Sequence, residues 1–169
     1  MNVADMYKAE SAARIDAVWA KLVARCGIAP GQAAFELHAR HDMLCALGWD
    51  GSDKLPAAKG RAVVAGFYYR DNNGDGVYTP DAGEQLSATL LGTPTLDGVD
   101  AAIETYAYAF FFAPATVGEN VTLRFDVDGI APFAASATVR DGLNILHLQI
   151  TPTKPLTYIG AHSHFDPEW

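Results

Sequence analysis

Two cysteines, Cys26 and Cys45, are too few to define a disulfide framework. On an antiparallel pair of helices they would stand near opposite ends, which excludes a bridge and leaves two buried thiols as the expectation. No apolar run approaches the roughly 18 residues that a membrane-spanning helix needs; the longest, Tyr106–Ala113, suits a buried strand. A basic segment followed by an apolar stretch is missing at the N-terminus, so no signal peptide is visible. Cations are scarce too. Twelve Lys and Arg against 20 Asp and Glu give a formal charge of −8, which disfavours nucleic acid and anionic membrane as partners. There is no phosphate-binding glycine loop, and no Ser, Thr or Cys carries a recognisable nucleophile signature.

What is present is enough to fold. Half the residues are apolar, and a chain of this length can bury roughly two thirds of its unfolded surface. Residues 4–26 read as a helix. Ile15, Val18, Trp19, Leu22, Val23 and Cys26 recur at three- and four-residue steps, and Gly27 with Pro30 marks the stop. Residues 31–47 are expected to form a second helix ending at Gly48, although Phe35–Arg40 also alternates with a strand's period. Residues 49–60, with Asp50-Gly51-Ser52-Asp53 and Pro56, read as a linker.

From Arg61 the texture changes to short runs rich in Val, Thr, Tyr and Phe. Strands are expected at 61–69, 86–92, 101–113, 120–127, 132–140, 143–151 and 156–161. Asp141-Gly142, between two alternating runs, is a hairpin signal. Tyr106, Tyr108, Phe110 and Phe112 share one strand face and read as core; exposed, such a row would suit a polysaccharide or protein partner. The expected fold class is mainly β, an antiparallel β-sandwich of about seven strands with an N-terminal helical segment. The expected organisation is a helical segment 1–48, a linker 49–60, a sandwich 61–161 and a tail 162–169.

One stretch carries chemistry. In Asp71-Asn72-Asn73-Gly74-Asp75-Gly76-Val77, three oxygen-bearing side chains stand at loop positions 1, 3 and 5, with glycine at position 6 for the sharp turn. The Val77 backbone carbonyl can add a ligand, and Asp81 or Glu84 can complete a calcium shell. Position 12, where an EF-hand has a bidentate Glu, is Ala82, and the flanks read as strands, so an EF-hand is not the expectation. The bland alternative is a polar turn, since Asp, Asn and Gly populate turns for conformational reasons alone.

The run Gly66-Phe67-Tyr68-Tyr69-Arg70-Asp71 through Gly76, followed by Gly83-Glu84 and a strand at Leu86–Leu91, resembles the opening of transthyretin-like β-sandwich modules. These include the B-repeats of bacterial adhesins and carboxypeptidase regulatory-like domains. Val121–Val127 and Ala137–Asn144 look like their later strands, so the resemblance covers about residues 61–151. It implies a non-enzymatic module for binding, adhesion or assembly, a protein or carbohydrate partner, and an extracellular or cell-surface setting. Some adhesin modules form a Lys–Asn isopeptide bond; Lys59, Asn144 and Glu104 are the conceivable counterparts here.

Histidines offer a competing reading, a small metal-dependent enzyme. His162, His164 and Asp166 would share one face of an extended segment and suit zinc or another transition metal. The spacing is superficially like the His-x-His-x-Asp of metallo-β-lactamase-type hydrolases, whose further downstream ligands have no counterpart in this sequence. His38 and His41 would lie three apart on a helix near Glu36. His147 is expected on the strand face of Gln149, with no function attached. A third reading is a structural subunit, possible as a homo-oligomer, that docks through its N-terminal helix.

Overall fold

The computed structural model describes all residues except 1–2, 58, 80–82, 87–91, 101, 106–108 and 154–169. The expected strand 156–161 and the triad His162, His164 and Asp166 therefore lie outside the described residues.

Helix α1 (Val3–Arg25) turns its apolar stripe inward: Val18 and Leu22 are fully buried, with Ile15, Trp19 and Val23 beside them. It stops as glycine dictates. Gly27, at φ +70°, donates to the Ala24 carbonyl and Ile28 donates to that of Val23, the paired bonds of a Schellman motif. The second expected helix starts later. Pro30–Ala33 forms a single 3-10 turn, Phe35 is fully buried in the irregular segment that follows, and α2 runs only from Leu37 to Ala46. Gly48 and Trp49 then close α2 by the same motif on Cys45 and Leu44. Cys26 is half-buried, and Cys45, expected inside, is exposed; both are free thiols.

Strand β1 (Ala62–Arg70) organises the rest. Eight of its nine residues are buried, because both faces are covered. Val63, Ala65, Phe67 and Tyr69 pack with Trp19, Phe35 and Met43 of the helical layer. Ala62, Val64 and Tyr68 pack against Leu96, Leu123 and Phe125 of a second sheet. The two-residue period of a strand thus serves two apolar clusters at once. Each fully buried Leu or Phe contributes about 1.5–3 kcal/mol to that double core.

The larger sheet is mixed, where an antiparallel one was expected. β6 (Ala109–Ala115) and β2 (Gln85–Leu86) pair antiparallel along one side of β1, and β5 (Ala102–Thr105) extends the sheet beyond β6. On the other side β9 (Gly142–Ile145) and β10 (Leu148–Gln149) run parallel to β1. The smaller sheet is antiparallel, in the order β4 (Val99–Asp100), β3 (Thr95–Leu96), β7 (Asn120–Phe125), β8 (Phe133–Thr138).

Several expectations change with that topology. Within the expected strand 101–113 two strands, β5 and β6, pair antiparallel; Phe110 faces the first cluster and Phe111 the second, while Tyr106 and Tyr108 lie outside the described residues. Between the expected strands 86–92 and 101–113 lie β3 and a tight turn at Asp97-Gly98, with φ of 50° and 82°, into β4. Asp141-Gly142 is not a hairpin: β8 pairs with β7, and β9 crosses to β1 in the other sheet. Tertiary bonds hold this joint. Gly142 N–H donates to the Arg61 carbonyl, Asp141 Oδ1 accepts from Gly60 N–H at 2.8 Å, and the Asn144 amide closes onto both Arg140 backbone groups.

Between β9 and β10 the chain bends at Leu146-His147. The Leu146 carbonyl lies so close to β1 that a Cβ on Gly66 would stand 2.2 Å from it. Phe67 N–H finds no strand carbonyl there and donates instead to His147 Nδ1 at 3.2 Å. The imidazole stacks on the Phe67 ring at 3.8 Å between centroids. His147 thus completes the ladder with a side chain.

Candidate metal centre

The loop that leaves β1 at Asp71 folds around its own side chains. Asp71 accepts the N–H groups of Asn73 (3.2 Å), Gly74 (2.6 Å) and Gly76 (2.8 Å), and Gln149 Nε2 on β10 reaches its Oδ2 at 3.1 Å. Gly74 and Gly76 sit at φ of 76° and 74°, the left-handed region that lets successive N–H groups turn inward. Those donors, Gly76 foremost, hold the Asp71 carboxyl below its ordinary range, against the partial burial that would raise it. Asp75 accepts Val77 N–H at 2.8 Å and the Asn73 amide at 3.0 Å.

Glu84 arrives from the far end of the loop. It is 5 % exposed, and among the described residues it alone is both charged and buried. Its oxygens accept Thr79 N–H at 2.6 Å and Asn72 N–H at 3.3 Å, while Asn72 Nδ2 donates to the Gly83 carbonyl. Burial of a charged carboxylate is costly unless its lone pairs are occupied, so these two donors explain how Glu84 is tolerated. Asp71, Asp75 and Glu84 each then present an oxygen, all within 4.8 Å of one another. Among the described residues no other group of three His, Cys, Asp or Glu side chains converges in this way.

The neighbourhood registers the negative field. Tyr69, at the end of β1, has its phenol pushed up to about 12, by burial first and then by Asp71, Glu84 and Asp75. Tyr78 is raised by burial and by Glu84. Three carboxylates in a span this short repel one another, and a cation between them removes that cost. The cluster can hold a metal ion.

Of the residues expected here, Asp71, Asp75 and Glu84 meet. Asn73 sits between the two aspartates with its Oδ1 on Asp75 N–H at 3.0 Å. The Val77 carbonyl accepts from Thr79 Oγ1 at 3.4 Å, and Asp81 lies outside the described residues. Gln149, Asn72 and Thr79 were not legible as parts of the site: two act through backbone N–H groups, and Gln149 comes from a strand 78 residues away.

The remaining histidines are occupied separately. His38 Nδ1 is 3.9 Å from Glu36, and its ring lies 5.7 Å from Phe110. His41 pairs with Asp42 at 3.0 Å and approaches the Cys45 sulfur at 3.7 Å. His147 is partly buried against Phe67, Tyr69 and Tyr78, and burial lowers its pKa to about 4, against a smaller raising effect of the Gln32 backbone. Asn144, considered for an isopeptide, spends its amide on the Arg140 carbonyl and N–H.

No family model matches the chain, and neither a curated protein nor a solved structure shows a significant match to it.

Proposed function

We propose that the protein is a calcium-supported β-sandwich module of transthyretin-like type, serving binding, adhesion or assembly with a protein or carbohydrate partner. The observation that carries this reading is the convergence of Asp71, Asp75 and the buried Glu84 on one point. The donors are all oxygen, which selects a hard cation, and a loop of mixed carboxylate, amide and carbonyl oxygens suits the larger, irregular shell of calcium better than the strict octahedron of magnesium. Two sheets sharing the cluster around Tyr68, Phe111, Leu123 and Phe125 support the sandwich. The ion would pin the loop between β1 and β2, and through Gln149 the end of β10, making a defined surface from a self-repelling one.

Thermal unfolding tests it. With an affinity of about 10⁻⁴–10⁻³ M, 10 mM calcium stabilises the fold by about 1.4–2.7 kcal/mol over chelator, a rise of roughly 3–10 °C for a domain of this size. Magnesium gives a smaller rise, and Asp75→Asn removes most of the calcium increment. Identical melting in calcium and in chelator would sink the proposal.

A further inference from the structure

At the opposite end of β1 from the acidic loop, the last turn of α1, the segment before β1 and the β8–β9 joint border an open recess of about 450 Å³. Arg25, Lys59 and Arg140 line it, with Cys26 and a single carboxylate, Asp141. All three cations are exposed. Among the described residues none of them has an ion-pair partner; Arg25 Nη1 reaches only the Pro56 carbonyl, at 3.5 Å. Of the five other arginines, two are ion-paired among the described residues, Arg14 with Asp53 at 3.1 Å and Arg40 with Asp16 at 2.7 Å. In a protein of formal charge −8, three unpaired cations around one recess are a local inversion of the field. Asp141, whose Oδ1 accepts Gly60 N–H, offsets one of the three.

We propose that this recess binds the phosphate group of a small soluble ligand. Two guanidinium forks match a tetrahedral oxyanion bidentately and an ammonium adds a point charge. Three cations against one carboxylate are balanced by a dianion and not by a monocarboxylate. The recess admits a small group, and the acidic remainder of the surface repels an anionic membrane.

The test is a titration of the full chain with inorganic phosphate at low ionic strength and pH 7.5, read by amide shifts at Gly60, Gly142 and Asn144, with acetate at equal ionic strength as control. Phosphate saturates and acetate does not. Arg140→Gln, at a side chain that carries no structural bond, weakens binding about tenfold with unchanged melting. Asp141→Asn keeps an acceptor for Gly60 N–H, removes the opposing charge, and tightens binding about threefold or more. Cys26 gives an independent reading. In a Cys45→Ser background an anionic thiosulfonate modifies it faster than a cationic one, and phosphate slows the reaction. Equal response to phosphate and acetate, an unaffected Arg140→Gln, or weaker binding by Asp141→Asn overturns the site. Retention on phosphatidic acid vesicles without binding of the free ion overturns the soluble-ligand assignment.

Discussion

The two ends of β1 are built from the same residue types and reach opposite electrostatic results. At its C-terminal end Asp71, Asn73, Gly74, Asp75 and Gly76 fold on themselves, and their carboxylates meet a third from Glu84. At its N-terminal end Asp141 stands at the bend into β9, with Gly142 and Asn144 already in that strand. Their polar groups, however, are spent on Gly60, Arg61 and Arg140, among three cations. The residue types are alike; what each segment faces made one a candidate cation site and the other the entry of β9 into the larger sheet. β1 itself, about 25–30 Å long at a strand's rise, keeps the two apart.

The comparison is broken most severely from the middle. Gly66→Ala sets a methyl group against the Leu146 carbonyl and the Phe111 ring, and the carbonyl is backbone that cannot swing away. About 3 kcal/mol of stability is lost in denaturant unfolding, with β9 and β10 displaced from β1. Both ends should lose order together, as amide exchange would show.

Next comes acid. His147 has its folded pKa lowered from 6.5 to about 4, so the unfolded chain takes up the proton first. Its neutral form contributes stability that is fully present above pH 6.5 and is lost as pH falls from 6.5 to about 4, a decline of about 3 kcal/mol. His147→Phe keeps a ring against Phe67, forfeits the acceptor for its N–H at about 1 kcal/mol, and flattens that pH dependence. An unchanged slope in the variant would show that the carboxylates, not this ring, govern the acid response.

The finest distinction lies in two glycines of similar φ. Gly76, at +74°, has nothing within 4 Å of an added Cβ, so Gly76→Ala costs only the left-handed backbone, about 1 kcal/mol. Gly142, at +88°, would put a Cβ 3.0 Å from the Cys26 sulfur, and Gly142→Ala costs about 2 kcal/mol. Equal melting of the two variants would mean that the joint yields as easily as the free loop.

Local signals were read correctly where local physics decides. The apolar stripe of α1 and the glycines that end both helices act over four or five residues, and each does what its spacing implies. The Asp71–Asp75 side chains converge because their turns are made from adjacent N–H groups. Dipeptide reasoning failed at the next scale. Asp97-Gly98 is a hairpin turn that went unread, and Asp141-Gly142 is not one, because a turn residue sets backbone direction and not the strand that receives it. Neighbouring propensity predicts helix at Phe35, but its ring packs among Trp19, Phe67 and Phe110 from a segment outside any helix.

By itself the amino-acid order determined the helices' ends, the positions of most strands and the turn that gathers Asp71 with Asp75, since each depends on backbone sterics and side chains within one turn. Tertiary structure alone decided that β9 and β10 run parallel to β1 and that His147 stands in for a missing strand carbonyl. It also decided that Glu84 is buried beside the aspartates, and that Arg25, Lys59 and Arg140 share a recess. Those relations join residues distant along the chain, whose meeting is set by which apolar faces must be covered together.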